Sequence, residues 1–114
     1  MNKLFLILML FLGCFGCYAQ NNRNVDPCKI WGAVYVEKNR NDASYRVYLE
    51  ESDAFANLVV YKQANKLYAD KPGFWYFTTV RDFADFSIYI ETNKALADFT
   101  LYYTATESFA GCNN

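Results

Sequence analysis

Apolar and polar residues alternate along this chain in short blocks, and the blocks recur. One parity carries Val34 and Val36, then Tyr45, Val47 and Leu49, then Leu58 and Val60. It continues through Trp75 and Phe77, then Phe86, Ile88 and Ile90, then Phe99, Leu101 and Tyr103. The opposite parity holds Arg46, Glu50, Ser87, Glu91, Thr100 and Thr104 with six tyrosines, Tyr35, Tyr48, Tyr61, Tyr76, Tyr89 and Tyr102. Period-two alternation in β-branched and aromatic residues predicts strands of about six residues, one face on a core. The tyrosines fall at steps of 13, 13, 15, 13 and 13, and an alanine column (Ala43, Ala56, Ala69, Ala84, Ala97, Ala110) keeps the same rhythm. A fixed period makes the fold a stack of one small unit, running here from about Ile30 to Cys112.

The segments between the strands, such as Glu51-Ser52-Asp53-Ala54-Phe55 and Thr92-Asn93-Lys94-Ala95-Leu96, are rich in turn formers and predict returns closing a single helical turn. A large residue precedes most column alanines: Phe55, Tyr68, Phe83, Leu96 and Phe109, with Asp42 the exception. A small, mostly polar one follows: Ser44, Asn57, Asp70, Asp85, Asp98 and Gly111. This triplet predicts a corner. The large residue plugs the core, the alanine lets two backbones approach, and the Asp or Asn accepts from nearby backbone N–H groups. The fourth unit is two residues longer and carries Pro72-Gly73, a turn signal that marks either a bend closing the array or a binding surface. Periodicity alone points to an all-β closed repeat ring or a short β-solenoid.

The start of the chain reads as an address. Lys3, the apolar run Leu4 to Leu12 and small residues ahead of Gln20 describe a signal peptide over residues 1–19, the run being too short to span a bilayer. Gly13-Cys14 and Gly16-Cys17 keep open a lipoprotein anchored through Cys14 or Cys17. Residues 20–27 form a polar leader, expected to be loosely draped, and 28–114 one domain. The leader and the cut before Gln20 resemble those of exported bacterial proteins. The expected location is therefore secreted or periplasmic, with no transmembrane segment in the mature chain.

Composition narrows the function. The chain carries 11 basic and 12 acidic residues with no basic block, which argues against nucleic acid and anionic lipid as partners. At 19% aromatic it is not a disordered chain. It has no histidine, which removes Ser-His-Asp and Cys-His nucleophiles and His-based metal sites. The five glycines are scattered and form no phosphate loop. Acidic candidates for a hydrolase pair are Glu50 with Glu51, Asp82 with Asp85, and Glu37; Asp82-Phe83-Ala84-Asp85 lacks the dense loop that calcium sites show. We expect no catalytic residue, cofactor or metal, and a structural or binding module rather than an enzyme. A small carboxylate-dependent hydrolase or ligand carrier is the alternative. The candidate binding surface is Trp75 with Tyr48, Tyr61, Tyr76, Tyr89 and Tyr102, which suits a protein or glycan partner of a monomer; the same column also reads as packing.

Two cysteines remain after cleavage, Cys28 before the first repeat and Cys112 inside the last. In an exported chain they are most simply one disulfide, with two free thiols or an intermolecular bridge as the other readings. An intramolecular bond would close a loop of about 85 residues, worth roughly 4–5 kcal/mol as an upper figure.

Ala84-Asp85-Phe86-Ser87-Ile88-Tyr89-Ile90-Glu91, repeated as Ala97-Asp98-Phe99-Thr100-Leu101-Tyr102-Tyr103-Thr104, resembles the units of the 7(1) septoil knot domain family. The resemblance covers about Cys28 to Cys112 and is clearest over residues 78–112. It implies a compact β domain whose chain winds into a seven-crossing torus knot, resistant to unfolding, with no functional residues to carry over. A Cys28–Cys112 bond would make that threaded chain a closed knotted loop, unable to untie without reduction or cleavage.

Overall fold

The computed structural model describes residues 24–113. The signal peptide reading, with Cys14, Cys17 and Gln20, lies outside them. The last leader residues are not loosely draped: Val25 packs against the core, and the Asp26 carboxylate caps a turn at Pro27–Lys29.

Seven strands form one sheet: β1 (Gly32–Val36), β2 (Tyr45–Leu49), β3 (Leu58–Lys62), β4 (Phe74–Phe77), β5 (Phe86–Glu91), β6 (Phe99–Thr104) and β7 (Gly111–Cys112). Their order is β4-β1-β5-β2-β6-β3-β7, and β4 also pairs with β3, which closes the first six into a barrel. All pairings among those six are parallel. Consecutive strands are never neighbours there, β3 and β4 excepted: β5 stands between β1 and β2, and β6 between β2 and β3. The chain therefore laps the barrel twice, and second-lap strands slot between those of the first.

Parallel neighbours oblige each connection to travel back along the barrel. Every return does so through one three-residue 3-10 turn whose C-cap is a column alanine: Ala43, Ala56, Ala69, Ala84, Ala97 or Ala110. The returns pass outside the strands they skip. The Ser87 hydroxyl on β5 donates to the Asp42 carbonyl (3.5 Å), and the Thr100 hydroxyl on β6 to the Phe55 carbonyl (3.3 Å). The Lys94–Leu96 return packs on β2 and Glu107–Phe109 on β3, while Lys66–Tyr68, which skips no strand, lies against β4, the strand it leads into. Arg81, which opens the remaining return, lies over the Tyr35 ring of β1.

The predicted inward parity is the core. Val34, Val47, Leu58, Val60, Trp75, Ile88, Phe99 and Leu101 are buried together, with Tyr45, Leu49, Phe77, Phe86, Ile90 and Tyr103 packed against them. Val36 departs from its parity and is exposed. Ile30 plugs one end, and its carbonyl accepts from the Trp75 indole N–H (3.1 Å).

The long fourth unit closes the ring. Pro72-Gly73 swings the chain so that the Gly73 carbonyl accepts from Tyr61 N (2.8 Å) and β3 meets β4 at Tyr61↔Phe74 and Lys62↔Trp75. This seals the place that a parallel seventh strand would take. β7 accordingly turns at Gly111 (φ 142) and pairs antiparallel with the start of β3, at Val59↔Gly111 and Leu58↔Cys112. The Cys28 and Cys112 sulfurs then lie at bonding distance, with Cα atoms 5.2 Å apart, inside the disulfide range.

Candidate functional site

The corners behave as their residue types dictate. The Asp85 carboxylate accepts from Ala33 N (2.8 Å) and Asp98 from Arg46 N (2.7 Å), each tying one lap to the other. The Asn57 side chain accepts from Thr100 N (2.9 Å), and Ser44 and Ser87 each accept from the other's backbone N–H through their hydroxyls (3.1 and 3.0 Å). Gly32 stands where a Cβ would strike the Asp85 carboxylate, so that corner is built for glycine.

Of the acids named from sequence, Asp85, Glu37 and Glu50 are engaged in the same weave, whereas Glu51 and Asp82 lie exposed. Buried Glu37 accepts from Arg81 Nε (3.1 Å) and Nη2, buried Glu91 accepts from Arg40 Nη2 (2.9 Å), and Glu50 is ion-paired with Lys94 (2.6 Å). Glu37 raises the Arg81 pKa above the ordinary arginine value, first by its hydrogen bond and then by charge attraction. Each pair joins the end of one strand to the return crossing beside it. No group of three or more metal-ligating side chains occurs among the described residues.

The proposed tyrosine surface divides. Trp75 is fully buried and belongs to the core, so its place in a binding surface is corrected; its indole fills the barrel because β4 directs Trp75 inward with Phe77. Tyr35, Tyr48, Tyr61, Tyr76, Tyr89 and Tyr102 line the outer face half-buried. Two carry a guanidinium from the return above them, Arg40 over Tyr89 (5.7 Å) and Arg81 over Tyr35 (5.6 Å). These rings are floors for the crossings. On the inner parity, burial pushes the Tyr103 phenol up to about 12.

The large residues that precede the column alanines do not plug the core. Phe55, Tyr68, Phe83, Leu96 and Phe109 are 48–70% exposed, and Leu67 beside them 79%. The alanine after each is pinched between return and strand, and a tight 3-10 turn then directs the preceding side chain outward. Leu96, Phe55, Phe109 and Tyr68 sit on the returns against β2, β6, β3 and β4, strands consecutive around the barrel, so their exposed side chains are set side by side as an apolar collar, with Phe83 on the next return. Sequence reasoning missed this collar, because an apolar residue at a regular position reads as core whichever way its turn faces. Two open grooves flank the Phe109 return. One, of about 360 Å³, runs along Asp53, Ala54, Val59 and Gly111; the other, of about 540 Å³, along Lys71, Phe74 and Thr106.

The family model of the 7(1) septoil knot domain matches residues 27–113, nearly all of the described chain. No curated protein and no solved structure matches it. The closed six-strand barrel with its two-lap strand order is consistent with an all-β knot domain.

Proposed function

The chain belongs to the 7(1) septoil knot domain family, and from that premise we propose that it is an exported, non-catalytic binding module that engages a protein partner through its collar. The observation that carries this reading is the row Leu96, Phe55, Phe109 and Tyr68, four large apolar side chains left in solvent at one repeat position, which Phe83 shares on a fifth return. Contiguous exposed apolar surface marks interaction sites. The partner class follows from the surroundings. The first residue of each of these returns is charged, in the order Lys94, Asp53, Glu107 and Lys66 around the barrel, so neither sign dominates. An anionic polymer or lipid surface has no positive field to follow. Three of the four collar side chains, Leu96, Phe55 and Phe109, carry no hydrogen-bonding group, and an apolar centre with a mixed charged rim is the anatomy of a protein interface.

Export rests on the signal-type start of the chain, and the disulfide-distance pair suits an oxidising compartment. No helix among the described residues is long and apolar enough to cross a membrane.

The test is selection from a displayed random-peptide library on the immobilised protein. Peptides with aromatic or aliphatic anchors are expected, and Phe55→Ser with Phe109→Ser should weaken them at least tenfold while leaving the far-ultraviolet spectrum intact. Peptides that bind the double variant as tightly would overturn the collar as the binding face.

A further inference from the structure

We infer that the Cys28–Cys112 bond is a topological latch that must close after threading, so that chains of identical covalent formula exist in two isomers, only one able to fold. The argument is independent of the binding reading.

The two bonded residues bracket the winding. Cys28 lies ahead of β1 and Cys112 at the end of β7, with a sequence separation of 84 and all six barrel strands between them. Within that interval each lap passes alternately beneath and outside the other: β5 under the Arg40–Asp42 return, β6 under Asp53–Phe55, β2 under Lys94–Leu96, β3 under Glu107–Phe109. Such a weave can form or undo only by passing a chain end through it. Joining the ends removes the free end. A loop closed after threading keeps its knot through complete loss of secondary structure. A loop closed before threading stays unknotted and cannot reach the two-lap strand order at all.

The chemistry is a thiol–disulfide exchange. The Cys28 and Cys112 thiols together lose two protons and two electrons to an exogenous disulfide oxidant, which is released as two thiols while the new S–S bond forms. The geometry delays that step. Cys112 reaches Cys28 only because the chain turns at Gly111, and that turn is imposed once β3 and β4 have sealed the ring. The S–S contact is therefore a product of the finished winding.

The experiment uses the full chain carrying Cys14→Ser and Cys17→Ser, so that one pairing is available. One sample is folded and oxidised, then unfolded in concentrated guanidinium without reductant. The other is made by chemical ligation, never folded, and oxidised while still denatured. Both have the same mass. On dilution the first should regain native circular dichroism and protease resistance in full, and the second should regain neither. Reducing the second and then diluting should rescue it, which separates a topological block from chemical damage. Equal recovery of both oxidised samples would overturn the latch, and so would failure of the second sample to recover after reduction.

Discussion

Single residues in this domain are judged by what the other lap leaves room for. Gly73 adopts φ 87, and a Cβ there would lie 2.5 Å from Gly111 N and 2.6 Å from Val59 O, both backbone atoms that cannot step aside. Gly111 also has positive φ, but its Cβ would meet nothing within 4 Å. We expect Gly111→Ala to cost roughly 1–2 kcal/mol from backbone strain alone and Gly73→Ala distinctly more, read from urea midpoints at constant slope. Tyr103 gives a second prediction. Its phenol is raised in the folded state to about 12, so its contribution is complete below the ordinary tyrosine value near 10. That contribution, of order 2–3 kcal/mol, is lost as pH climbs from about 10 to 12, because the unfolded chain gives up the proton first. Tyr103→Phe should flatten the alkaline limb of the stability profile. The sequence announced Pro72-Gly73 as an irregularity, but not its role. Only the partners across the seam, Tyr61 and Gly111, show that it closes the ring.

Elements here are short, and each is held by groups borrowed from its neighbour. Four returns carry their own cap, with Asn39, Ser52, Asn65 and Asn93 accepting from the backbone N–H two residues on. Val80 and Thr106 have no side-chain cap bond, and there the Thr78 and Thr104 hydroxyls accept from the Val80 and Thr106 N–H groups instead (both 3.1 Å). An exposed cap such as Asn93→Ala should cost about 1 kcal/mol or less. Asp85→Ala should cost more, about 1–3 kcal/mol, because it strands the N–H of fully buried Ala33. Hydrogen exchange at Ala33 should accelerate in that variant more than at Val47, on the next strand but one. Strands, inward faces and corner acids were legible because they obey local rules, alternation and side-chain capping, repeated in phase. The collar was not. Whether Phe55 turns inward or outward depends on which wall its return lies against, and no local rule states that. The burial of Trp75 is half legible: the alternation puts it on the inward parity, yet it also stood with the tyrosines as a candidate surface residue.

At the scale of the whole molecule, most pairings join distant parts of the chain, as in Val34↔Phe86 and Val47↔Phe99. Loop closure must precede the contacts that reward it, so folding from the reduced, unthreaded chain should be slow for a domain of this size, on the scale of seconds or longer by stopped-flow fluorescence of Trp75 and Trp31. The short distance between the Cys28 and Cys112 Cα atoms, 5.2 Å, also decides how the domain responds to tension. A pull applied at the two ends of the chain enters at Cys28 and leaves at Cys112 through the sulfur bridge. The load bypasses the barrel. Under an optical trap the oxidised domain should show no unfolding step, behaving as a rigid bead on a string, whatever the strength of its strands. After reduction the same pull runs through the weave and draws it tight, and the fully stretched chain should stop short of its contour length by the segment held in the tightened knot.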